Sequence, residues 1–172
     1  KSTVNTAKAL TRLLNYAAMH PDDVLRYTAS DMIYHISSDA SYLSEPKSQS
    51  RVGGHHYLLS SKSLDLMKPP HVQPPNNGAI HTTCNILKNV MASAAEAEYA
   101  ALFHNTQHGA KIRTILEEMG HPQPPTPVET DNSTAVGIAN GTIRQRKSKA
   151  MDMRFYWVQD RVRLEQGRPK SR

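Results

Sequence analysis

The sequence predicts an α/β domain built on a mixed β-sheet, and the order of its hydrophobic patterns is the main reason. Three strand-like segments come first, followed by a long helix, a short strand and two further helices. Strands joined by short turns pair antiparallel, whereas a strand that follows a helix can join the same sheet in parallel. The 172 residues are enough for one ordinary domain with a hydrophobic core and are hardly enough for two.

The first half of the chain predicts one helix and three strands. Apolar residues recur at helical spacing over residues 3–19, which indicates an amphipathic helix. Residues 31–39 and 51–60 are rich in β-branched and aromatic residues and are separated by a turn, a pattern typical of a hairpin. Four prolines within residues 61–78 predict an extended loop, and residues 79–88 predict a third strand.

The second half predicts three helices and one short strand. A long helix begins near Ser93 and ends near Met119, before Gly-His-Pro. A short strand follows at 128–130, and then a short helix at 134–140 that Ser133 can cap. After a basic loop, apolar residues at i, i+4, i+7 and i+11 from Met151 predict the last helix.

The composition excludes several classes of protein. No apolar run approaches the length that could span a membrane, and the N-terminus lacks the pattern of a secretory signal. Cys84 is the only cysteine, which excludes an internal disulfide and a thiolate-rich zinc site and favours a reducing compartment. We therefore expect a protein of the cytoplasm or nucleus that is not secreted.

Positive charge is concentrated at one end of the chain. Residues 144–172 hold ten Lys and Arg against three acidic residues, a local balance of +7, which leaves the first 143 residues at −1 out of a total of +6. This distribution suits a polyanionic partner such as nucleic acid. The alternative is a solvated basic tail with no specific partner.

The stretch ASAAEAEYAAL sets two glutamates two positions apart at the start of the long helix. Ser93 followed by Glu96 fits a capping box, which gives Glu96 a structural role. At about 100° per residue, Glu98 lies on nearly the opposite face, toward the buried side of the helix. A buried carboxylate is costly unless it binds a proton or a cation. From the helix alone, the alternative that Glu98 is a rim residue paired with Lys or Arg stays open.

Two other carboxylates occupy positions where an α/β sheet can form a site. Asp39 ends the first predicted strand, and Asp131 follows the fourth at a strand-to-helix switch. Together with Glu98 they can form an oxygen-lined cage for Mg²⁺, a hard ion that also binds phosphate oxygens. Two such ions about 4 Å apart would form a clamp for attack of water on a phosphodiester.

Five motifs, taken in order, resemble the RNase H domain of Ty1/copia-type retrotransposon polyproteins. They are SDASYLSE (38–45), SRVGGHHYLLS (50–60), ASAAEAEYAAL (92–102), RTILEEMGHPQPPTPVETDNSTAVGIAN (113–140) and KSKAMDMRFYWVQDRV (147–162). The resemblance covers roughly residues 29–165. It implies an RNase H-like mixed sheet of three antiparallel strands plus a parallel fourth, flanked by helices.

The resemblance also implies a chemistry and a set of site residues. It implies a ribonuclease H-type endonuclease that hydrolyses the RNA strand of RNA–DNA hybrids during reverse transcription, with two Mg²⁺ ions or Mn²⁺ as a substitute. Asp39, Glu98 and Asp131 match its catalytic and metal-binding carboxylates, and Asp152 is an accessory candidate. A basic group would hold the hybrid backbone through its phosphates: Arg144, Arg146, Lys147 and Lys149.

The resemblance further implies domain bounds and partners, and it shows one expected difference between this chain and the family. Residues 1–28 match a helical remnant of the reverse transcriptase thumb or connection, 29–166 the RNase H-like domain, and 167–172 a frayed basic tail. The expected partner is the reverse transcriptase portion of the same polyprotein, in the element's virus-like particle. The fifth strand and final helix of the family are expected to be missing. The alternative is therefore a truncated, catalytically inactive domain that only binds nucleic acid or a partner.

Overall fold

A five-stranded mixed sheet organises the chain in the computed structural model, which describes residues 3–66, 77–143, 152–164 and 166–171. The strand order is β3-β2-β1-β4-β5. β1 (Ile33–Glu45) and β2 (Gln49–Leu59) form a long antiparallel hairpin, closed by a 3-10 turn at Pro46–Ser48. β3 (His81–Ile86) pairs antiparallel with β2 at the edge of the sheet.

The other half of the sheet is parallel. β4 (Thr126–Thr130) pairs with the first part of β1, and β5 (Gly167–Ser171) pairs with β4 along its whole length. Every residue of β4 is buried, as expected for a strand with neighbours on both sides. The prediction of three antiparallel strands plus a parallel fourth is confirmed.

Five helices accompany the sheet within the described residues. They are α1 (Val4–Met19), α2 (Ser61–Leu66), α3 (Ala94–Glu118), α4 (Ser133–Ala139) and α5 (Asp152–Arg163). α3 packs on β1 and β2, and α5 packs on α3. The main core contains Ile36, Val52 and Val128 from three strands together with Ala101 and Leu102 from α3. α1 contributes no buried residue, although its N-terminus is capped by Thr3. None of the described helices is both long and apolar enough to cross a membrane.

The tail is where the structure corrects the sequence-based expectation most clearly. Residues 167–172 were expected to be frayed and the fifth strand to be missing, but Gly167–Ser171 forms β5 beside β4. The Asn140 side chain donates a hydrogen bond to the Pro169 carbonyl at 3.3 Å, which ties the strand to the end of α4. The sheet therefore extends beyond residue 166, the expected limit of the domain.

The expected boundary after residue 28 also cuts through ordered contacts. The Thr28 amide donates to Asn77 Oδ1 at 2.8 Å, and the Tyr27 hydroxyl donates to the Ala79 carbonyl at 3.0 Å. The segment just before β1 is thus fastened to the segment just before β3. That residues 1–28 derive from a reverse transcriptase remains a prediction.

Candidate metal centre

Asp39 and Asp131 come together because β1 and β4 run in parallel. Ser37 pairs with Glu129 in the β1–β4 register, so the same register two residues further on brings Asp39 beside Asp131. The sequence-based prediction that Asp39 ends its strand was wrong. β1 continues to Glu45 because β2 still pairs with it, with Gly53 opposite Asp39. What ends near Asp39 is β4, and this leaves both aspartates exposed at the edge of the parallel pairing.

Glu98 reaches the same place from the first turns of α3. Ser93 is the N-cap, and its hydroxyl accepts a hydrogen bond from the Glu96 amide at 3.1 Å. The Glu96 carboxylate turns back to accept from the Ala92 amide at 2.6 Å, one residue before the N-cap amide of Ser93 that a capping box uses. Glu96 therefore serves to cap the helix N-terminus. Glu98, in contrast, is buried with 6% of its surface exposed.

Both oxygens of Glu98 are held by groups of the two strands that carry the aspartates. Oε1 accepts from the Ala40 backbone amide at 3.1 Å, and Oε2 accepts from the Thr130 hydroxyl at 3.2 Å. Ala40 is the residue after Asp39, and Thr130 is the residue before Asp131. The Glu98 carboxylate therefore links β1 to β4 right beside the two aspartates. The prediction that Glu98 lies on the buried side of its helix is confirmed.

The electrostatics of the cluster disfavour three negative charges without a counterion. Burial raises the pKa of Glu98 from 4.5 to about 7, and the charges of Asp39 and Asp131 push it in the same direction. The hydrogen bonds from Ala40 and Thr130 lower the pKa and only partly offset these effects. A proton or a cation in the cluster would relieve the repulsion.

The donor set fits a divalent cation. One carboxylate oxygen from each of Asp39, Glu98 and Asp131 lies within 4.8 Å of the others. Oxygen ligands of this kind suit the hard ions Mg²⁺ and Mn²⁺, which fill their remaining positions with water or phosphate oxygens. The three residues come from three different elements, so the folded state itself assembles the cluster.

The remaining sequence-predicted site residues fall wholly or partly outside the described part of the chain. The four basic candidates, Arg144, Arg146, Lys147 and Lys149, lie outside the described residues. Asp152 is the first residue of α5, and its side chain also lies outside the described part of the chain. Their roles in substrate or metal binding remain predictions.

Sequence reasoning did not identify Thr130 or Asn105 as members of the site's surroundings. Thr130 is fully buried and donates to Glu98, and Asn105 is fully buried on the face of α3 that packs on the sheet. The sequence does contain a signal for Asn105, because its polar amide interrupts the apolar stripe of α3. A buried amide must find hydrogen-bond partners, and here the strands under α3 supply them.

The strand order and the carboxylate cluster together define an RNase H-like domain. Among solved structures, the chain is similar to LC11-RNase H1 isolated from compost by a metagenomic approach, with a TM-score of 0.53 and 12% identity over 81% of this chain and 84% of that one. The same enzyme in complex with an RNA/DNA hybrid gives a TM-score of 0.52 and 11% identity over 81% of this chain and 83% of that one. At such low identity, the similarity establishes the fold.

The sequence comparison finds a similar segment in the polyprotein of a mobile genetic element. The chain is 26% identical over 87 residues to the retrovirus-related Pol polyprotein from transposon TNT 1-94 of Nicotiana tabacum. The match covers 51% of this chain and 7% of that polyprotein. No family model matches the chain. The resemblance to a retrotransposon RNase H domain is thus confirmed by both fold and sequence.

Proposed function

We propose that the chain is a ribonuclease H-type endonuclease, a hydrolase that cuts the RNA strand of RNA–DNA hybrids as part of a retrotransposon polyprotein. The observation that carries this proposal is the cluster of Asp39, Glu98 and Asp131, with oxygens within 4.8 Å, in an RNase H-like fold. The similar LC11-RNase H1 has been crystallised with an RNA/DNA hybrid, which supports the same substrate class for this chain.

In this proposal the three carboxylates hold Mg²⁺, in two sites, with Mn²⁺ as a substitute. When bound, the ions supply the positive charge that favours attack of water on a phosphodiester and stabilises the leaving oxygen. Glu98 binds and orients from the buried side, since its two oxygens are fixed by Ala40 and Thr130. Asp39 and Asp131 face solvent, where the substrate's phosphates can approach.

The substrate would be held by charge rather than by sequence. The basic residues Arg144, Arg146, Lys147 and Lys149 are proposed to contact phosphates, which positions a hybrid without reading its bases. Selection of the hybrid would then rest on its A-like shape and the 2′-hydroxyls of its RNA strand. The reverse transcriptase portion of the same polyprotein is the proposed partner, within the element's virus-like particle or in the nucleus.

A pair of neighbouring substitutions tests the assignment of Glu98. Glu98→Gln removes a negative ligand while keeping the size of the side chain, so we expect Mg²⁺-dependent cleavage of a labelled hybrid to fall by a factor of about 100 or more, the loss typical of one group that acts directly on developing charge. Glu96→Gln is the control, because Glu96 serves the helix end and should cost only about 1 kcal/mol of stability. Equal cleavage by Glu98→Gln and the parent would contradict the assignment.

The alternative is a catalytically inactive domain that binds the hybrid or a partner without cutting. It predicts salt-sensitive binding of the hybrid and no Mg²⁺-dependent product. The same gel assay, run beside a binding measurement at two salt concentrations, separates the two proposals.

A further inference from the structure

A chain of buried polar side chains connects α3 to the strands immediately behind the carboxylate cluster. Asn105 lies about two helical turns beyond Glu98 on α3. Its Nδ2 donates to Ser38 Oγ and to the Gly53 carbonyl, both at 2.9 Å. Its Oδ1 lies 3.3 Å from His56 Nε2, and His56 Nδ1 lies 2.5 Å from the Tyr34 hydroxyl. All four side chains, those of Tyr34, Ser38, His56 and Asn105, are fully buried.

The hydrogen bonds of this chain have one consistent direction. The Gly53 carbonyl can only accept, so it fixes the amide of Asn105 with Nδ2 toward the strands and Oδ1 toward His56. His56 must then donate from Nε2, which leaves Nδ1 to accept from the Tyr34 hydroxyl. Burial supports this arrangement, since it lowers the pKa of His56 to about 4 and keeps the ring neutral. Each polar group in the series has a partner of the right kind.

The two strand residues that Asn105 contacts are the two that frame Asp39. Ser38 precedes Asp39 in β1, and Gly53 is the residue paired with Asp39 in β2. The amide of Asn105 therefore clamps both strands to α3 at the level of Asp39, while Glu98 clamps the next residue, Ala40. Gly54 makes room for this clamp, because a Cβ there would lie 2.2 Å from Asn105 Oδ1.

We propose that Asn105 is a positioning residue that sets the distance between Asp39 and Glu98 and so tunes the affinity of the carboxylate cluster for divalent metal. Asn105 has no atom in the cluster and acts through the backbone of β1 and β2. The inference rests on the proposed function only in taking the cluster to be a metal site. It requires neither a hybrid substrate nor turnover.

The test measures Mn²⁺ binding by titration calorimetry in the parent, Asn105→Asp and Ser38→Ala. Asn105→Asp keeps the shape of the side chain and replaces the donor with an acceptor that faces the Gly53 carbonyl. We expect its Mn²⁺ dissociation constant to rise by about tenfold, the usual effect of losing a residue that orients a metal ligand. Ser38→Ala removes one of the two groups that accept a hydrogen bond from Asn105 Nδ2, so we expect a smaller rise in the Mn²⁺ dissociation constant. It also keeps the proposal testable if Asn105→Asp fails to fold.

Thr106→Val is the matched control. Thr106 is the next residue of α3 and is also buried, and its hydroxyl donates to the Leu102 carbonyl of its own helix. We expect its Mn²⁺ dissociation constant to equal that of the parent. In the cleavage assay, the Asn105 variant should need more Mg²⁺ for half-maximal rate, should recover at high Mg²⁺ and should keep the parent's KM for the hybrid.

These measurements decide whether Asn105 has the positioning role. Weaker Mn²⁺ binding in a folded Asn105 or Ser38 variant, with unchanged binding in Thr106→Val, supports it, even if the parent cleaves no hybrid and the proposed function is wrong. Parent-like Mn²⁺ binding in both folded variants overturns it. A parent that binds no Mn²⁺ overturns the proposed function and the positioning role together.

Discussion

Glu98 combines burial, hydrogen bonding and repulsion in one side chain. It is nearly inaccessible to solvent, yet it lies against two exposed aspartates that open the cluster to water and ions. Its pKa of about 7 means that the metal-free protein keeps a proton there through much of the acidic range. Metal binding must displace that proton, so the affinity for metal should rise with pH up to about 7.

The proton on Glu98 has a consequence for stability without metal. The unfolded chain releases it near pH 4.5, whereas the folded protein keeps it to about pH 7. The contribution of Glu98 to the free energy of unfolding is therefore fully present below pH 4.5 and is lost as the pH rises to about 7. The exposed side of the cluster limits the loss to about 2 kcal/mol.

Urea unfolding in the presence of a chelator checks this effect. Glu98→Gln cannot ionise, so we expect its stability relative to the parent to increase by about 2 kcal/mol between pH 4.5 and pH 8. Addition of Mg²⁺ at pH 8 should stabilise the parent and leave the variant unchanged. A difference between the two proteins that is the same at every pH would show that Glu98 does not hold the proton.

Two adjacent glycines of β2, at its contact with α3, differ in their surroundings. A Cβ at Gly54 would lie 2.2 Å from Asn105 Oδ1, and the buried, hydrogen-bonded amide cannot move aside at low cost. A Cβ at Gly53 would lie 3.7 Å from the Asp39 carbonyl oxygen, an ordinary contact. Gly54 thus allows α3 to approach β2 closely, whereas the position of Gly53 has room for a side-chain methyl group.

The two alanine substitutions give a matched comparison at this contact. We expect Gly54→Ala to lower the free energy of unfolding by about 2 kcal/mol, because the added methyl overpacks a fixed interface. Gly53→Ala should change it by less than about 0.5 kcal/mol. Chemical denaturation measures both, and equal effects of the two substitutions would contradict the close approach at Gly54.

Most of the helices and strands were predicted correctly from their side chains, but the prediction of an extended loop over residues 61–78 was wrong at its start, where Ser61–Leu66 forms α2. α3 was predicted from its cap and its apolar face, and the β1–β2 hairpin from its β-branched and aromatic residues. β5 was missed because GRPKS contains glycine, proline and two basic residues and no alternating pattern. Its formation depends on backbone pairing with β4, and an edge strand tolerates a proline such as Pro169.

The carboxylates of the site could be predicted from the sequence, whereas the residues that hold them in place could not. Asp39, Glu98 and Asp131 could be named from their motifs because the residue types carry the chemistry. The roles of Thr130, Asn105 and Gly54 depend on which strand lies opposite which helix turn, and no local pattern encodes that. The register of β1 against β2 and β4 supplies this information only after folding.

The whole molecule divides into a sheet-centred body and an N-terminal helix that adds no buried residue to it. β5 belongs to the body because Gly167 and Pro169 are buried and β4 pairs with it along its length. A variant ending at residue 166 should therefore lose about 3 kcal/mol or more of unfolding free energy, at roughly 1 kcal/mol per backbone hydrogen bond.

Removal of residues 1–20 is the corresponding control for the β5 deletion. Because α1 has no buried residue, its loss should shift the urea midpoint little if at all. Both truncations are compared with the full chain by circular dichroism at increasing urea. A variant ending at 166 that unfolds at the same urea concentration as the full chain would show that β5 is not part of the cooperative fold.

Hydrolysis of the RNA strand of a hybrid at the carboxylate cluster is the activity that we propose for this RNase H-like fold. Its most direct measurement is the cleavage of one hybrid labelled on both strands, by the full chain with Mg²⁺ and with a chelator, beside Asp131→Asn. We expect RNA fragments and intact DNA with Mg²⁺, and no product with the chelator or with the variant. Cleavage that persists in the chelator or in Asp131→Asn, or an RNA strand left intact by the parent with Mg²⁺, would contradict it.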